Sequence, residues 1–119
     1  MHAGPEYRLA HAALMAEGES RTFPVDWAGR EREAFVLAHA GEFRAFLNEC
    51  PHWGVELDLG DGHFFDEKLG RIYCKNHGAL FSPVDGTCET GPCLGRALTQ
   101  FRVRLEGNDV IVHASEVTG

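Results

Sequence analysis

Hydrophobic and polar residues alternate along much of this chain with a period of two. Phe101, Val103 and Leu105 fall on one side of a segment whose other side carries Arg102 and Arg104, the alternation of a half-buried β-strand. That strand is expected to run from Leu98 to Leu105. Five more runs rich in β-branched and aromatic residues predict strands: Arg21 to Trp27, Ala34 to His39, Glu42 to Leu47, Arg71 to Cys74 and Val110 to His113. Ala40-Gly41 and Gly107-Asn108 have the character of two-residue hairpin turns. Helical character is confined to an alanine-rich patch, Leu9 to Ala16, enough for a turn or two. The expected fold class is all-β. Between Asn48 and Leu94 the alternation gives way to Gly, Pro, Cys, His and acidic residues, the composition of loops held up by a scaffold, and function is expected there.

The composition fits one soluble globular domain spanning residues 1–119, with 44% hydrophobic and 24% charged residues and neither an internal repeat nor a linker. Apolar stretches such as Ala34 to Ala38 fall far short of the roughly 18 to 20 residues that cross a bilayer. The N-terminus, Met1-His2-Ala3-Gly4-Pro5-Glu6, lacks the basic flank and apolar core of a secretory signal. A cytoplasmic protein with no membrane partner is therefore expected. A net charge of −7, with Lys and Arg scattered, argues against nucleic acid, whose phosphates call for a basic patch. Between Asn48 and Leu94 the acids Glu49, Glu56, Asp58, Asp61, Asp66, Glu67, Asp85 and Glu89 face only Lys68, Arg71 and Lys75. This excess reads as a solvated surface or as a docking face for a basic protein partner, since complementary fields speed encounter.

Two of the four cysteines sit in compact pairs with histidine, Cys50-Pro51-His52 and Cys74-Lys75-Asn76-His77. Thiolate is a soft ligand suited to iron-sulfur clusters and zinc; imidazole suits iron, zinc or copper. One zinc ion would take all four tetrahedrally, as in a structural zinc knuckle. An iron-sulfur centre with mixed ligands would instead place two cysteines on one iron and two histidines on the other. The order Cys-x-His, then residues 53–73, then Cys-x2-His puts one cysteine and one histidine in each of two loops.

With that order the sequence resembles the Rieske iron-sulfur family. Cys50-Pro51-His52-Trp53-Gly54 resembles its first cluster loop and Cys74 to Gly78 its second. Gly91-Pro92-Cys93 falls where the family has a proline-containing loop over the cluster, and the final strands, through Val112, resemble its closing strands. The resemblance implies a 2Fe-2S cluster held by Cys50 and Cys74 on the inner iron and His52 and His77 on the outer, near the surface. It also implies three stacked antiparallel sheets, with residues 48–94 forming a cluster-binding subdomain. Trp53 is read either as a shield for the cluster or as loop packing.

Rieske proteins of cytochrome bc complexes carry a second, disulfide-bonded cysteine in each cluster loop, where this chain has Val55 and Asn76. They also place a serine and a tyrosine hydroxyl where Ala79 and Phe81 stand. Hydrogen bonds to cluster sulfurs stabilise the reduced state, so their loss predicts a potential toward the low end of the Rieske range, of order −150 mV. These features resemble the Rieske ferredoxins that feed aromatic-ring dioxygenases. An electron carrier is implied, without catalytic activity of its own, taking electrons from a flavin-dependent reductase and passing them to a terminal oxygenase through transient electrostatic docking. The length leaves no room for the separate mononuclear-iron domain of an oxygenase catalytic subunit.

Alternatives are a small Rieske subunit of a nitrite reductase, a stand-alone Rieske protein serving a monooxygenase or demethylase, and a non-redox zinc-binding interaction module. His2, His11, His39, His63 and His113 read as surface or strand residues. Cys88 and Cys93 read as free thiols, since a cytosolic compartment keeps most thiols reduced; a short-loop disulfide and half of a zinc site are the other readings.

Overall fold

The period of two becomes two antiparallel sheets in the computed structural model, which describes residues 6–51, 54–76 and 78–118, the last four of these by backbone alone. The larger sheet contains β1 (Glu6–Leu9), β2 (Ser20–Trp27), β3 (Arg30–His39), β4 (Glu42–Leu47), β9 (Gln100–Glu106) and β10 (Asp109–Thr118), ordered β1-β10-β9-β4-β3-β2. The smaller contains β5 (Phe65–Asp66), β6 (Arg71–Tyr73), β7 (Leu80–Phe81) and β8 (Cys88–Thr90) in sequence order, all from the chain between β4 and β9. The alanine-rich patch supplies one 3-10 turn, Ala12–Leu14.

The larger sheet folds over on itself, because β4 and β9 pair only at Ala45↔Phe101 and Phe46↔Gln100. Its edge strands then meet. The Tyr7 and Phe23 rings lie 5.6 Å apart, and the Tyr7 hydroxyl accepts the Asp26 N–H at 3.0 Å. The two halves enclose a core of Leu9, Phe23, Val25, Val36, Phe101 and Val112 with their neighbours. With the smaller sheet this makes the three expected layers, although hydrogen bonding joins the first two into one sheet.

β3 explains how the third layer attaches. All five residues from Ala34 to Ala38 are buried, the mark of a strand covered on both faces. Ala34 and Val36 enter the core between the halves, while Phe35 and Leu37 point into a second core shared with the smaller sheet. There Phe35 stacks on Phe64 with ring centroids 3.8 Å apart and planes 8° from parallel. Phe46, Leu57, Ile72, Phe81, Leu98 and all four cysteines complete this second core.

Both predicted turns close hairpins, and a third, Ala28-Gly29, joins β2 to β3. In Ala28-Gly29 and Ala40-Gly41 both residues have positive φ, matching the twist of the flanking strands. Strand bounds also differ from expectation: β3 begins at Arg30 rather than Ala34, β9 at Gln100 rather than Leu98, and β10 runs to Thr118 rather than His113. The strand expected to reach Cys74 ends at Tyr73, which leaves Cys74 at the start of a loop. Leu105 is exposed rather than buried, because β9 outruns its pairing with β4 and only β10 flanks its far end.

Because Phe35 and Phe64 join two layers, Phe35→Ala is expected to cost about 3–5 kcal/mol, as for other large-to-small changes at buried aromatics. A urea titration monitored by circular dichroism checks this.

Candidate metal centre

Cys50 and Cys74 are both buried, each at the start of a loop that closes in the same way. The Cys50 N–H donates to the Val55 carbonyl at 2.7 Å and the Gly54 N–H donates to the Cys50 carbonyl at 2.7 Å. The Cys74 N–H donates to the Ala79 carbonyl at 2.9 Å and the Gly78 N–H donates to the Cys74 carbonyl at 2.8 Å. In each loop the bonds link the cysteine to the fourth and fifth residues after it. The fourth is a glycine at φ +74° in both, a left-handed conformation that other residues adopt only at a cost. Two of the four predicted ligands, Cys50 and Cys74, fall in one buried core, while His52, Trp53 and His77 lie outside the described residues.

The loops are tied to each other and to the scaffold. The Lys75 N–H donates to the Leu57 carbonyl at 2.9 Å, joining the second loop to the chain just after the first. Asn48, between β4 and Cys50, directs Nδ2 to Glu33 at 2.9 Å and to Asp58 at 3.1 Å, and its Oδ1 accepts the Leu57 N–H at 2.8 Å. Asp58 is buried, its carboxylate also accepting the Gly60 and Gly62 N–H groups at 3.1 and 2.9 Å. This corrects its expected place on an acidic docking face: Asp58 holds the loop from within. Glu56 stays exposed, and desolvation, helped by the charges of Glu33 and Asp58, raises its carboxyl above the ordinary value. The Lys75 ammonium pairs with Asp61 and holds that carboxyl below the usual range.

A third segment packs beside both loops. Gly91 has φ +105°, and a Cβ there would lie 2.8 Å from the Ala79 Cα, so the segment touches the second loop at a point where only a glycine fits. Arg96 Nη1 donates to the Pro51 carbonyl at 2.9 Å, fastening the same segment to the first loop. The segment closes on itself through Cys88 N–H to Arg96 O at 2.7 Å and Arg96 N–H to Cys93 O at 2.9 Å. The Cys88 and Cys93 sulfurs lie 2.9 Å apart without a disulfide, and burial, followed by the neighbouring Cys88 and Cys50, pushes the Cys93 thiol up to about 12. Ala79 and Phe81 are fully buried and present no hydroxyl. His11 and His63 are exposed, while His39 and His113 lie in strands β3 and β10.

Sequence reasoning missed Asn48, Asp58 and Arg96 as supports of the site. An Asn just after a strand signals a turn, but its partners, ten and fifteen residues away, carry no local pattern. Gly91→Ala should destabilise the protein by about 1–3 kcal/mol more than Gly95→Ala and lower its iron content, because Gly95 has a similar φ of +91° but no atom within 4 Å of the added Cβ. Thermal unfolding and iron analysis of the two variants check this.

A buried pair of thiols on matched loops fits a group that takes soft sulfur ligands in a dry setting. Residues 6–112 match the model of the Rieske [2Fe-2S] domain. The chain is 31% identical over 111 residues to apoptosis-inducing factor 3 of Homo sapiens, which covers 93% of this chain but only 17% of that protein's length. It is 32% identical over 96 residues to the ferredoxin component of the alkene monooxygenase system of Xanthobacter autotrophicus, covering 81% of this chain and 70% of that one. Among solved structures, the ferredoxin of carbazole 1,9a-dioxygenase from Nocardioides aromaticivorans IC177 superposes with a TM-score of 0.69 at 24% identity, covering 92% and 97% of the two chains. A chain from a complex of reduced oxygenase and oxidized ferredoxin in carbazole 1,9a-dioxygenase gives 0.72 at 24% identity, covering 96% of each. At that identity the superpositions establish the fold. The family match over residues 6–112 and the relative from the alkene monooxygenase system establish more: the chain belongs to the Rieske [2Fe-2S] domain family, and its cofactor is a Rieske-type 2Fe-2S cluster.

Proposed function

We propose that this chain is a ferredoxin that receives single electrons from a flavin-dependent reductase and delivers them to a terminal oxygenase, with Cys50, His52, Cys74 and His77 holding its cluster. The matched closure of the two cysteine loops carries the ligand assignment, since it presents two buried sulfurs from equivalent backbone positions. When bound, the cluster supplies a one-electron couple. Residues 48–94 act as a cluster-binding subdomain on the larger sheet.

The chain's own residues set the conditions for that couple. Leu57, Phe64, Ile72 and Phe81 keep water from the cysteine sulfurs. Arg96 fixes the Pro51 carbonyl next to His52 and brings a positive charge to the first loop. Exposed Val55 and Leu94 give a partner an apolar contact beside the first loop and the covering segment. Glu56 and Glu67 are exposed acids available to steer a basic partner. The relative from an alkene monooxygenase system supports an oxygenase as the acceptor.

Purified protein reduced with dithionite is expected to give the rhombic EPR signal, with the low average g value, of mixed cysteine and histidine ligation. Cys50→Ser and Cys74→Ser should lose most of the iron, whereas His77→Cys should keep iron but lower the potential. A colourless protein binding zinc after anaerobic purification would overturn the reading. The Glu56→Gln/Glu67→Gln double variant should be reduced about two- to tenfold more slowly by its reductase at low salt, with the difference vanishing at high salt. Stopped-flow traces across ionic strength check this.

A further inference from the structure

Cys88 and Cys93 are buried thiols outside the proposed ligand set, and their sulfurs lie 2.9 Å apart. A disulfide bond is about 2.0 Å long, so small side-chain rotations close the remaining gap without moving the backbone. The chain around the pair already turns back on itself, through Cys88 N–H to Arg96 O at 2.7 Å, Leu94 N–H to Gly91 O at 3.2 Å and Arg96 N–H to Cys93 O at 2.9 Å. Strand β8, which carries Cys88, is an edge of the smaller sheet. The residues flanking the two thiols, Thr87, Glu89, Pro92 and Leu94, are all exposed, so the pair sits just beneath the surface.

We propose that Cys88 and Cys93 form a reversible disulfide on exposure to hydrogen peroxide, and that this bond locks the segment packed beside both cysteine loops. One thiol attacks the O–O bond of the peroxide, giving a sulfenic acid and one water. The neighbouring thiol then displaces the sulfenic hydroxyl as a second water, and the S–S bond forms. The two sulfurs together lose two electrons and two protons, and the peroxide is reduced to two waters. Peroxide is small enough to reach a pair beneath a surface segment. Burial keeps the thiols protonated, so the first attack is slow and the bond answers sustained exposure. The 2.9 Å spacing lets the second thiol capture the sulfenic acid before it advances to a sulfinic acid. A dithiol reverses the step by thiol–disulfide exchange. Cys88 is held in the smaller sheet by its pairing with Phe81, and Gly91, which packs against Ala79 of the second loop, lies inside the ring that the bond closes. Oxidation thus holds the segment against the loops, whatever the loops contain.

Cleavage after Lys75 and Arg96 releases residues 76–96 as one peptide that contains Cys88 and Cys93 but neither Cys50 nor Cys74. Native protein is incubated with hydrogen peroxide, quenched with catalase, denatured, alkylated and digested. The peptide should go from two alkyl groups to none and be two hydrogens lighter than its dithiol form, and dithiothreitol before alkylation should restore both groups. In Cys93→Ser the lone Cys88 should instead advance to a sulfinic acid that dithiothreitol does not reverse. Should that variant not fold, Cys88→Ser gives the same comparison with the roles exchanged. Hydrogen exchange of the amides between residues 88 and 96 should slow by about three- to tenfold in the oxidised wild type. Two alkyl groups retained after peroxide, or sulfinic acid in place of the link in wild type, would overturn the pair as a site of oxidation; unchanged exchange would overturn the lock. The peptide map reads the same with or without iron, so a failure of the ligand assignment shows separately, as absence of the mixed-ligand EPR signal.

Discussion

The core between β3, β4 and the smaller sheet is the contact on which the rest depends. The smaller sheet has strands of two or three residues, too short to be stable alone. It borrows its stability from Phe35, Leu37 and Phe46, which the larger sheet turns toward it, and from the stack of Phe35 on Phe64. The same core contains all four cysteines, so the packing that attaches the third layer also keeps the sulfurs dry. Stability and chemistry here share one set of side chains.

A fully buried Phe81 and Ala79 make that environment less polar, and the polar contacts to the site come from elsewhere. Arg96 reaches the Pro51 carbonyl from the covering segment, and Asn48 braces the chain around Cys50 by bridging Glu33, Leu57 and Asp58. Negative charge is concentrated around these loops, and part of it is structural. Asp58 spends both carboxylate oxygens on backbone N–H groups and Asn48, and Asp61 is bound to Lys75, so charge counted along the sequence overstates what a partner would meet.

The longer strands were legible because period-two patterning and β-branched residues reflect burial directly. Glu42–Leu47 matches its strand at both ends. The short strands β5, β7 and β8 went unread, since two or three residues carry no period and their pairing depends on partners distant in the chain. β1 also went unread, its last residue, Leu9, being the first of the alanine-rich patch that suggested helix. For the proposed site, the cysteines and histidines drew attention by type and spacing. Gly91 did not, because its importance is a close approach to Ala79, and no local pattern encodes which backbone another segment will touch.

The paired closure of the two cysteine loops has a kinetic meaning. Each loop is braced by its own backbone bonds and by a glycine in a left-handed turn, a frame set by the chain itself. A carrier that gains and loses an electron many times works fastest when little has to move on each occasion. Frames of this kind keep the reorganisation energy of electron exchange low and leave the rate to be governed by distance and driving force.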